Sequence, residues 1–179
     1  DNLQLSPFRD LALRTSPTNI GMYLTSVLAA YDLGFIDSKE TADRLERTLS
    51  AVEGLPKVRG NLYNWYDLKT LSVLGEGFVS FVDSGNLAVC LLAVAEGLGE
   101  YGEAEERFPA LSAECRRLAE ETDLSFFYNP KKDLFCWMAK NFPSIHPMDG
   151  HRRYPTFLKA PIPPISRWSG CWPMPDFPT

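Results

Sequence analysis

Apolar residues recur at helical spacing in four stretches of the chain, and the first stretch carries clear end signals. Within residues 15–34, one face repeats an apolar side chain every three or four positions. Thr15 or Ser16 can serve as the N-cap, Pro17 suits the first helical position, and Gly34 stands just past the end. The pattern predicts a helix over this stretch.

A second amphipathic helix is predicted a few residues later. Asp37 and Glu40 have the spacing of a capping box. From Ala42 to Val52, apolar residues occupy one side and charged residues the other. Because the connection is short, we expect the two helices to pack as an antiparallel pair.

Two further helices follow a long segment, residues 54–82, that is rich in glycine, aromatic and amide residues. The third helix is predicted to start at Ser84 or Gly85, and its nearly uniform apolarity is typical of an inner helix. The fourth, over about residues 103–121, is charged on most turns and should lie outside. The fold class indicated is all-α: two antiparallel helix pairs with alternating inner and outer helices, as in part of an α/α toroid.

The end of the chain shows different patterns. Residues 126–137 predict a short β-hairpin, with aromatic strands around an Asn-Pro-Lys-Lys-Asp turn. Nine of the fourteen prolines lie in residues 143–179, where no helix can run through their spacing, and the formal charge changes there to +2 from −7 over residues 1–142. We therefore expect an incomplete toroid domain over 1–142 and an irregular proline-rich tail over 143–179. The tail is explained either by an out-of-frame translation or by a real C-terminus of this composition.

Composition excludes several classes of function. A net charge of −5 argues against nucleic acid as the main partner, because such binding rests on a basic surface. We expect no membrane insertion, since no run of 18 uncharged apolar residues occurs, and the first residues lack a signal-peptide layout. The four cysteines have no zinc-ligand spacing, so we expect no metal or cofactor, and inert core thiols in a reducing cytoplasm.

Three polar clusters should gather at one end of the toroid, because each precedes or opens an inner helix. Residues 61–67 combine aromatic rings, which stack on the C–H face of a sugar, with amide and carboxylate groups that bridge hydroxyls. The same residues could instead plug the end of the bundle and cap turns. Residues 14–19 and 80–86 could bind a hydroxyl-rich ligand or simply cap helices, with Asp83 or Ser84 as the cap of the third helix.

Five segments, taken together and in this order, resemble one family. They are residues 1–4, 14–21, 62–67, 82–88 and 128–132. Over about residues 1–138 the chain is similar to the glucoamylase-like middle domain of the cyclic β-1,2-glucan synthases, which are large membrane-bound bacterial enzymes. The resemblance implies part of an (α/α)6 toroid that transglycosylates β-1,2-glucan. It implies that the glucan-binding end is lined by Arg14, Asn19, Asn64, Trp65, Tyr66, Asp67, Asp83 and Asn86.

One departure from the family limits the chemistry we expect. Retaining glycosidases need two carboxyl groups about 5–5.5 Å apart. The family's glutamates should follow the hairpin, but here a Trp-Ser-Gly at residues 168–170 has no acid close behind it. We therefore expect no catalytic residue, binding roles for Asp67 and Asp83, no activity of the chain alone, and self-association through exposed flanks of the inner helices.

A second hypothesis comes from a different class of protein. In a small helical interaction module, the aromatic loop and the helix starts would be structural, and the proline-rich tail, including the run at residues 161–164, would bind a protein partner. Glucan titration separates the two hypotheses, because such a module should not respond to β-1,2-gluco-oligosaccharides.

Overall fold

The computed structural model of the protein describes residues 2–4, 10–131 and 133–140. The proline-rich tail predicted for 143–179, with its proline run and its Trp-Ser-Gly, lies outside the described residues. Lys132 of the predicted hairpin turn lies outside them as well.

Four α-helices form the scaffold of the described part, which confirms the all-α fold class with two helix pairs. They are α1 (Pro17–Asp32), α2 (Ser38–Gly54), α3 (Phe81–Tyr101) and α4 (Phe108–Glu121).

The first two helices begin where the sequence predicts. Ser16 caps α1, with its side chain accepting from the Asn19 backbone N–H at 3.3 Å. Asp37 caps α2 through Oδ1, which accepts from the Glu40 N–H at 2.7 Å. In both, one side-chain oxygen satisfies a backbone donor that the first turn leaves unpaired.

The other two helices begin elsewhere than predicted. Ser80, not Asp83 or Ser84, caps α3, because its Oγ accepts from the Asp83 N–H at 3.2 Å. The helix therefore starts three residues before Ser84, which is buried inside it. Helix α4 starts five residues after Glu103. Gly102 takes a φ of 53° and ends α3, and Gly102–Ala104 form only a 3-10 turn.

Helices α1 and α3 are the inner pair and run parallel. Near their starts, Thr18 hydrogen-bonds Asp83, and near their ends Tyr101 donates to Asp32 at 2.9 Å. Between these points the helices approach closely at two glycines. A Cβ on Gly21 would lie 2.9 Å from Cys90 Cβ, and one on Gly97 would lie 2.5 Å from a Leu28 methyl. A side chain at Gly21 would therefore have to displace Cys90, and one at Gly97 would have to displace the end of the Leu28 side chain.

Helices α2 and α4 are the outer pair and also run parallel, linked by surface ion pairs. Arg107 contacts Asp43 at 2.7 Å and Arg117 contacts Glu53 at 2.9 Å. Helix α4 runs back along α3, where Ser112 Oγ donates to the Ala95 carbonyl at 2.8 Å. The alternation of inner and outer helices is thus confirmed.

The core lies between the inner and outer helices and is apolar. It contains Leu24, Leu45, Leu91 and Cys115, all at most 1% exposed. Burial raises the pKa of the Cys115 thiol to about 12, so it stays protonated. The expectation of core thiols is wrong for Cys136, which follows a hairpin strand and is exposed.

Among the described residues, ten short strands form five antiparallel pairs around this scaffold. The pairs are β1 (Asn2–Gln4) with β2 (Asp10–Ala12), β3 (Arg14–Thr15) with β6 (Tyr66–Asp67), β4 (Lys57–Val58) with β5 (Asn61–Leu62), β7 (Phe78–Ser80) with β10 (Met138–Lys140), and β8 (Tyr128–Asn129) with β9 (Leu134–Phe135). The predicted hairpin is the β8–β9 pair. Four strands lie in the segment predicted as a loop, residues 54–82.

One segment of the described chain, Phe81–Ala104, is long and apolar enough to cross a bilayer by length and composition, with a mean hydropathy of 1.5. The core helix of a soluble protein meets the same criterion. In this structure the segment contains α3, which packs against both α1 and α4.

Candidate functional site

Three segments that the sequence singles out meet at one end of the helices. Strand β3 pairs with β6 so that Arg14 lies opposite Asp67, which ties the segment before α1 to the aromatic loop. On its other side the loop is tied to β7, because the Asn64 N–H donates to the Phe78 carbonyl at 2.8 Å. The loop is therefore fixed between the starts of the two inner helices.

A hydrogen-bonded network centred on Asp83 joins the three segments. Thr18 Oγ1 donates to Asp83 Oδ1 at 2.7 Å, and Asn86 Nδ2 donates to Thr18 Oγ1 at 3.1 Å. With the Asn64 amide oriented to match donors with acceptors, its Nδ2 donates to Asp83 Oδ2 at 2.9 Å and its Oδ1 accepts from Trp65 Nε1 at 2.7 Å. We call Thr18, Asn64, Trp65, Asp83 and Asn86 the Asp83 network.

The indole of Trp65 is held at its edge and over its ring. Asn64 binds the ring N–H, and the guanidinium carbon of Arg14 lies 4.5 Å from the ring centroid. This distance is typical of a cation–π contact. Together, the hydrogen bond and the cation–π contact orient the half-buried indole beside the exposed Arg14. An oriented aromatic ring next to amide and carboxylate groups is what sugar binding uses.

Tyr66 and Asp67 stabilise the loop itself. Tyr66 is fully buried; its hydroxyl donates to the Pro56 carbonyl at 2.6 Å and accepts from the Tyr63 N–H at 2.7 Å. Burial raises the pKa of Tyr66 well above its usual range. Because the side chain has no access to solvent, it does not line an open surface, in contrast to the predicted contact with a ligand.

Asp67 closes a tight turn. Its Oδ1 accepts from the backbone N–H groups of Thr70 and Lys69, each at 2.8 Å. These hydrogen bonds hold the pKa of the Asp67 carboxyl below its usual value. Of the two carboxylates predicted to bind, Asp83 belongs to the network and Asp67 has one oxygen committed to the turn.

Asn19 lies apart from the Asp83 network. Although it is next to Thr18 in sequence, it lines a groove of about 590 Å³ between α1 and α2, together with Thr15 and Tyr23. Among the described residues, its buried Nδ2 has no hydrogen-bond partner. Asn19 is thus separated from the other predicted residues, of which Asn64, Trp65, Asp83 and Asn86 belong to the Asp83 network.

Thr18 is the network residue that sequence reasoning missed. It belongs to the segment of residues 14–19, but its role depends on a contact with Asp83, 65 positions later in the chain. The parallel arrangement of two inner helices, which a toroid implies, would have been the signal, because it places both helix starts side by side.

The described residues include one carboxylate inside the network. Both oxygens of Asp83 accept hydrogen bonds, so the group is set as an oriented acceptor. Within residues 2–4, 10–131 and 133–140, no three His, Cys, Asp or Glu side chains come together as metal ligands. The arrangement can hold a hydroxyl-rich ligand through the exposed Asn86 amide, Asp83 and the Trp65 ring.

Comparison with known proteins gives one relative in sequence. This relative is the cyclic β-(1,2)-glucan synthase NdvB of Rhizobium meliloti strain 1021. The two sequences are 49% identical over 104 residues, which are 58% of this chain. The resemblance found in the sequence is thereby confirmed. The match spans 4% of that protein's length. No protein-family model matches the chain.

Solved structures share the fold. The chain is similar to an endo-β-1,2-glucanase from Chitinophaga pinensis, with a TM-score of 0.62 and 20% identity over 74% of this chain and 31% of the other. A protein from Bacteroides caccae described as a glucoamylase gives a TM-score of 0.61 and 23% identity over 70% and 30% of the two chains. The predicted glucoamylase-like toroid is confirmed, and this chain spans about a third of those relatives.

Proposed function

We propose that this chain is a segment of a glucan-processing toroid domain whose Asp83 network binds β-1,2-glucan or a related oligosaccharide. The observation that carries the proposal is the Asp83 network itself. An oriented indole from the loop meets a carboxylate and an exposed amide from the start of α3, and with Thr18 of α1 they are joined by hydrogen bonds of 2.7 to 3.1 Å.

The names of similar proteins support this choice of ligand. The sequence relative is a cyclic β-1,2-glucan synthase, and the Chitinophaga pinensis glucanase was solved as a complex with sophorotriose and glucose. Both names specify the β-1,2 linkage. Nothing in them favours a protein-interaction module, the second hypothesis from the sequence.

We further propose that the chain binds without catalysing a reaction by itself. Retaining hydrolysis needs a second carboxyl group facing the first across the scissile bond. Asp83 already accepts two hydrogen bonds, and Asp67 Oδ1 is committed to its turn. Activity would therefore need carboxylates from outside the described residues.

We also propose a reducing cytoplasmic location, because the cysteines among the described residues are free thiols.

The test is a titration of the full chain with sophorotriose, followed by calorimetry and tryptophan fluorescence. We expect saturable binding and a fluorescence change, and a Trp65→Ala variant should bind about tenfold more weakly or worse, because it loses the stacking surface. No glucose release should be detected on prolonged incubation.

The matched control is Phe35→Ala, which removes an aromatic ring that is 78% exposed at the turn between α1 and α2, the opposite end of the helices. It should bind like the parent. The proposal is overturned if sophorotriose does not bind, or if Trp65→Ala binds as well as Phe35→Ala.

A further inference from the structure

The hydroxyl of Thr18 links the starts of the two inner helices. Thr18 is the second residue of α1, and its hydroxyl contacts both Asp83 and Asn86 of α3. Asp83 and Asn86 are three positions apart, so they lie on one face of α3. The link therefore crosses the seam between α1 and α3, and both sides of this seam lie within the described residues.

A close approach of the two helices one turn further along α1 keeps this link short. Gly21 follows Thr18 by three positions and lies on the same side of α1. A Cβ built on Gly21 would be 2.9 Å from the Cβ of Cys90 on α3. Because Gly21 carries no side chain, α1 can approach α3 this closely, and both hydrogen bonds of the Thr18 hydroxyl can form.

The hydrogen-bonding capacity of these groups determines the orientation of the Asn86 amide. A threonine hydroxyl has one proton to donate, and a carboxylate can only accept. Thr18 therefore donates its proton to Asp83 Oδ1, and its oxygen accepts from Asn86. Since the nitrogen of the Asn86 amide faces Thr18, the amide oxygen faces the other way, on a side chain that is exposed.

The two amides of the Asp83 network differ in the atom that they leave available. Asn64 uses its nitrogen on Asp83 and its oxygen on the ring N–H of Trp65. Asn86 uses its nitrogen on Thr18, and within the described residues its oxygen has no hydrogen-bond partner. The Asn86 oxygen is thus available to accept a hydrogen bond from a sugar hydroxyl.

Asp83 and Asn86 depend on Thr18 to different degrees. Asp83 is also held by Asn64, which donates to its second oxygen at 2.9 Å. Among the described residues, Thr18 is the side chain that holds Asn86. Without the Thr18 hydroxyl, the exposed Asn86 amide would rotate, and a ligand would have to order it. A side chain that is fixed before binding does not lower the affinity through this loss of entropy.

We propose that Thr18 is a positioning residue for Asn86, which it holds with the amide oxygen ready to accept a hydroxyl of the glucan. This role rests on the proposed binding of β-1,2-glucan at the Asp83 network. It adds which residue contacts the ligand and which residue orients that contact. Thr18 acts through Asn86 and needs no contact with the glucan itself.

A double-mutant cycle on the binding of sophorotriose to the full chain tests this role. Thr18→Val keeps the branched shape of the side chain and removes the hydroxyl, so it should weaken binding about fivefold. Asn86→Ala should weaken binding at least as much. In the Asn86→Ala background, Thr18→Val should cause no further loss, because no amide is left for Thr18 to orient.

Two variants separate positioning from a general effect on α1. Thr18→Ser restores the hydroxyl and should bind within about twofold of the parent. Thr25→Val is the matched control, the same exchange in the same helix, where the hydroxyl donates to the Gly21 and Met22 carbonyls. It should leave the affinity for sophorotriose unchanged. Should Thr18→Val fail to melt cooperatively, Thr18→Ala takes its place in the cycle.

The outcomes distinguish the role of Thr18 from the proposed function. If the parent chain does not bind sophorotriose, both are overturned. If the parent binds, three results would overturn the role of Thr18 alone. These are a single variant, Thr18→Val or Asn86→Ala, that binds like the parent, an equal loss from Thr18→Val with and without Asn86, and a Thr18→Ser variant that does not restore binding.

Discussion

The helical scaffold and the loop end of this molecule are held together by different interactions. The scaffold, helices α1 to α4, buries apolar side chains and keeps its ion pairs on the surface. The loop end consists of residues 55–80 and the adjoining helix starts, and it buries polar groups. Of six buried polar side chains among the described residues, five lie there: Ser16, Asn61, Asn64, Ser80 and Ser84.

Because of this difference, the scaffold should tolerate substitutions better than the loop end. Apolar packing accepts exchanges of similar volume, whereas a buried polar group without a hydrogen-bond partner lowers the free energy of unfolding. At the loop end the partners come from remote positions, as where Asn61 donates to the Asp123 carbonyl at 2.9 Å. The loop end can therefore hold side chains in fixed positions for a ligand, and the scaffold is what places its segments together.

The largest effect is expected from Gly60→Ala, at the contact between the loop end and the scaffold. Gly60 takes a φ of 75°, and a Cβ there would lie 1.9 Å from the Glu121 carbonyl oxygen at the end of α4. Backbone strain and the clash together should lower the free energy of unfolding by about 3 kcal/mol or more. Urea denaturation measures it.

Gly54→Ala is the control for that prediction. Gly54 ends α2 and a Cβ there would meet nothing within 4 Å, so the exchange should be neutral or slightly stabilising. Equal stability of the Gly60 and Gly54 variants would show that the loop end is not locked onto α4.

The comparison also explains how much could be predicted from the sequence. Helical periodicity and caps depend on neighbouring residues, which is why α1 and α2 were placed to within two residues at their starts. The predicted start of α3 is wrong because Ser80, the last residue of β7, caps the helix by accepting from the Asp83 N–H. The family resemblance predicts binding roles for Asn64, Trp65 and Asp83, and the structure brings these three together. The burial of Tyr66 and the contact of Thr18 with Asp83 are tertiary properties.

A smaller effect is expected from Tyr66→Phe, which removes one oxygen from the interior of the loop end. The Pro56 carbonyl and the Tyr63 N–H would both lose their partner, so the free energy of unfolding should fall by about 1–3 kcal/mol. Tyr128→Phe, which removes an exposed hydroxyl, should change it by less. If the two variants unfold at the same urea concentration, buried hydrogen bonds do not hold the loop end.

The smallest effect should come from the surface of the scaffold, where Arg117→Ala removes a cation shared by three glutamates of α2 and α4. The arginine lowers the pKa of Glu53 and of Glu114 from the ordinary value of 4.5. Each carboxylate therefore contributes stability above pH 4.5 that is lost as pH falls through its lowered pKa. At neutral pH the free energy of unfolding of the variant should be slightly lower than that of the parent, and it should fall by less when the pH is lowered.

Because these side chains are exposed, salt should shrink the difference between parent and variant. Arg47→Ala is the control, since Arg47 bonds a backbone carbonyl and should leave the acid dependence nearly unchanged. Urea midpoints measured at several pH values for the three proteins decide the point. If the urea midpoints of the parent and Arg117→Ala fall in parallel as the pH is lowered, the ion pairs orient the outer helices without stabilising them. The stability of the scaffold would then come from apolar packing alone.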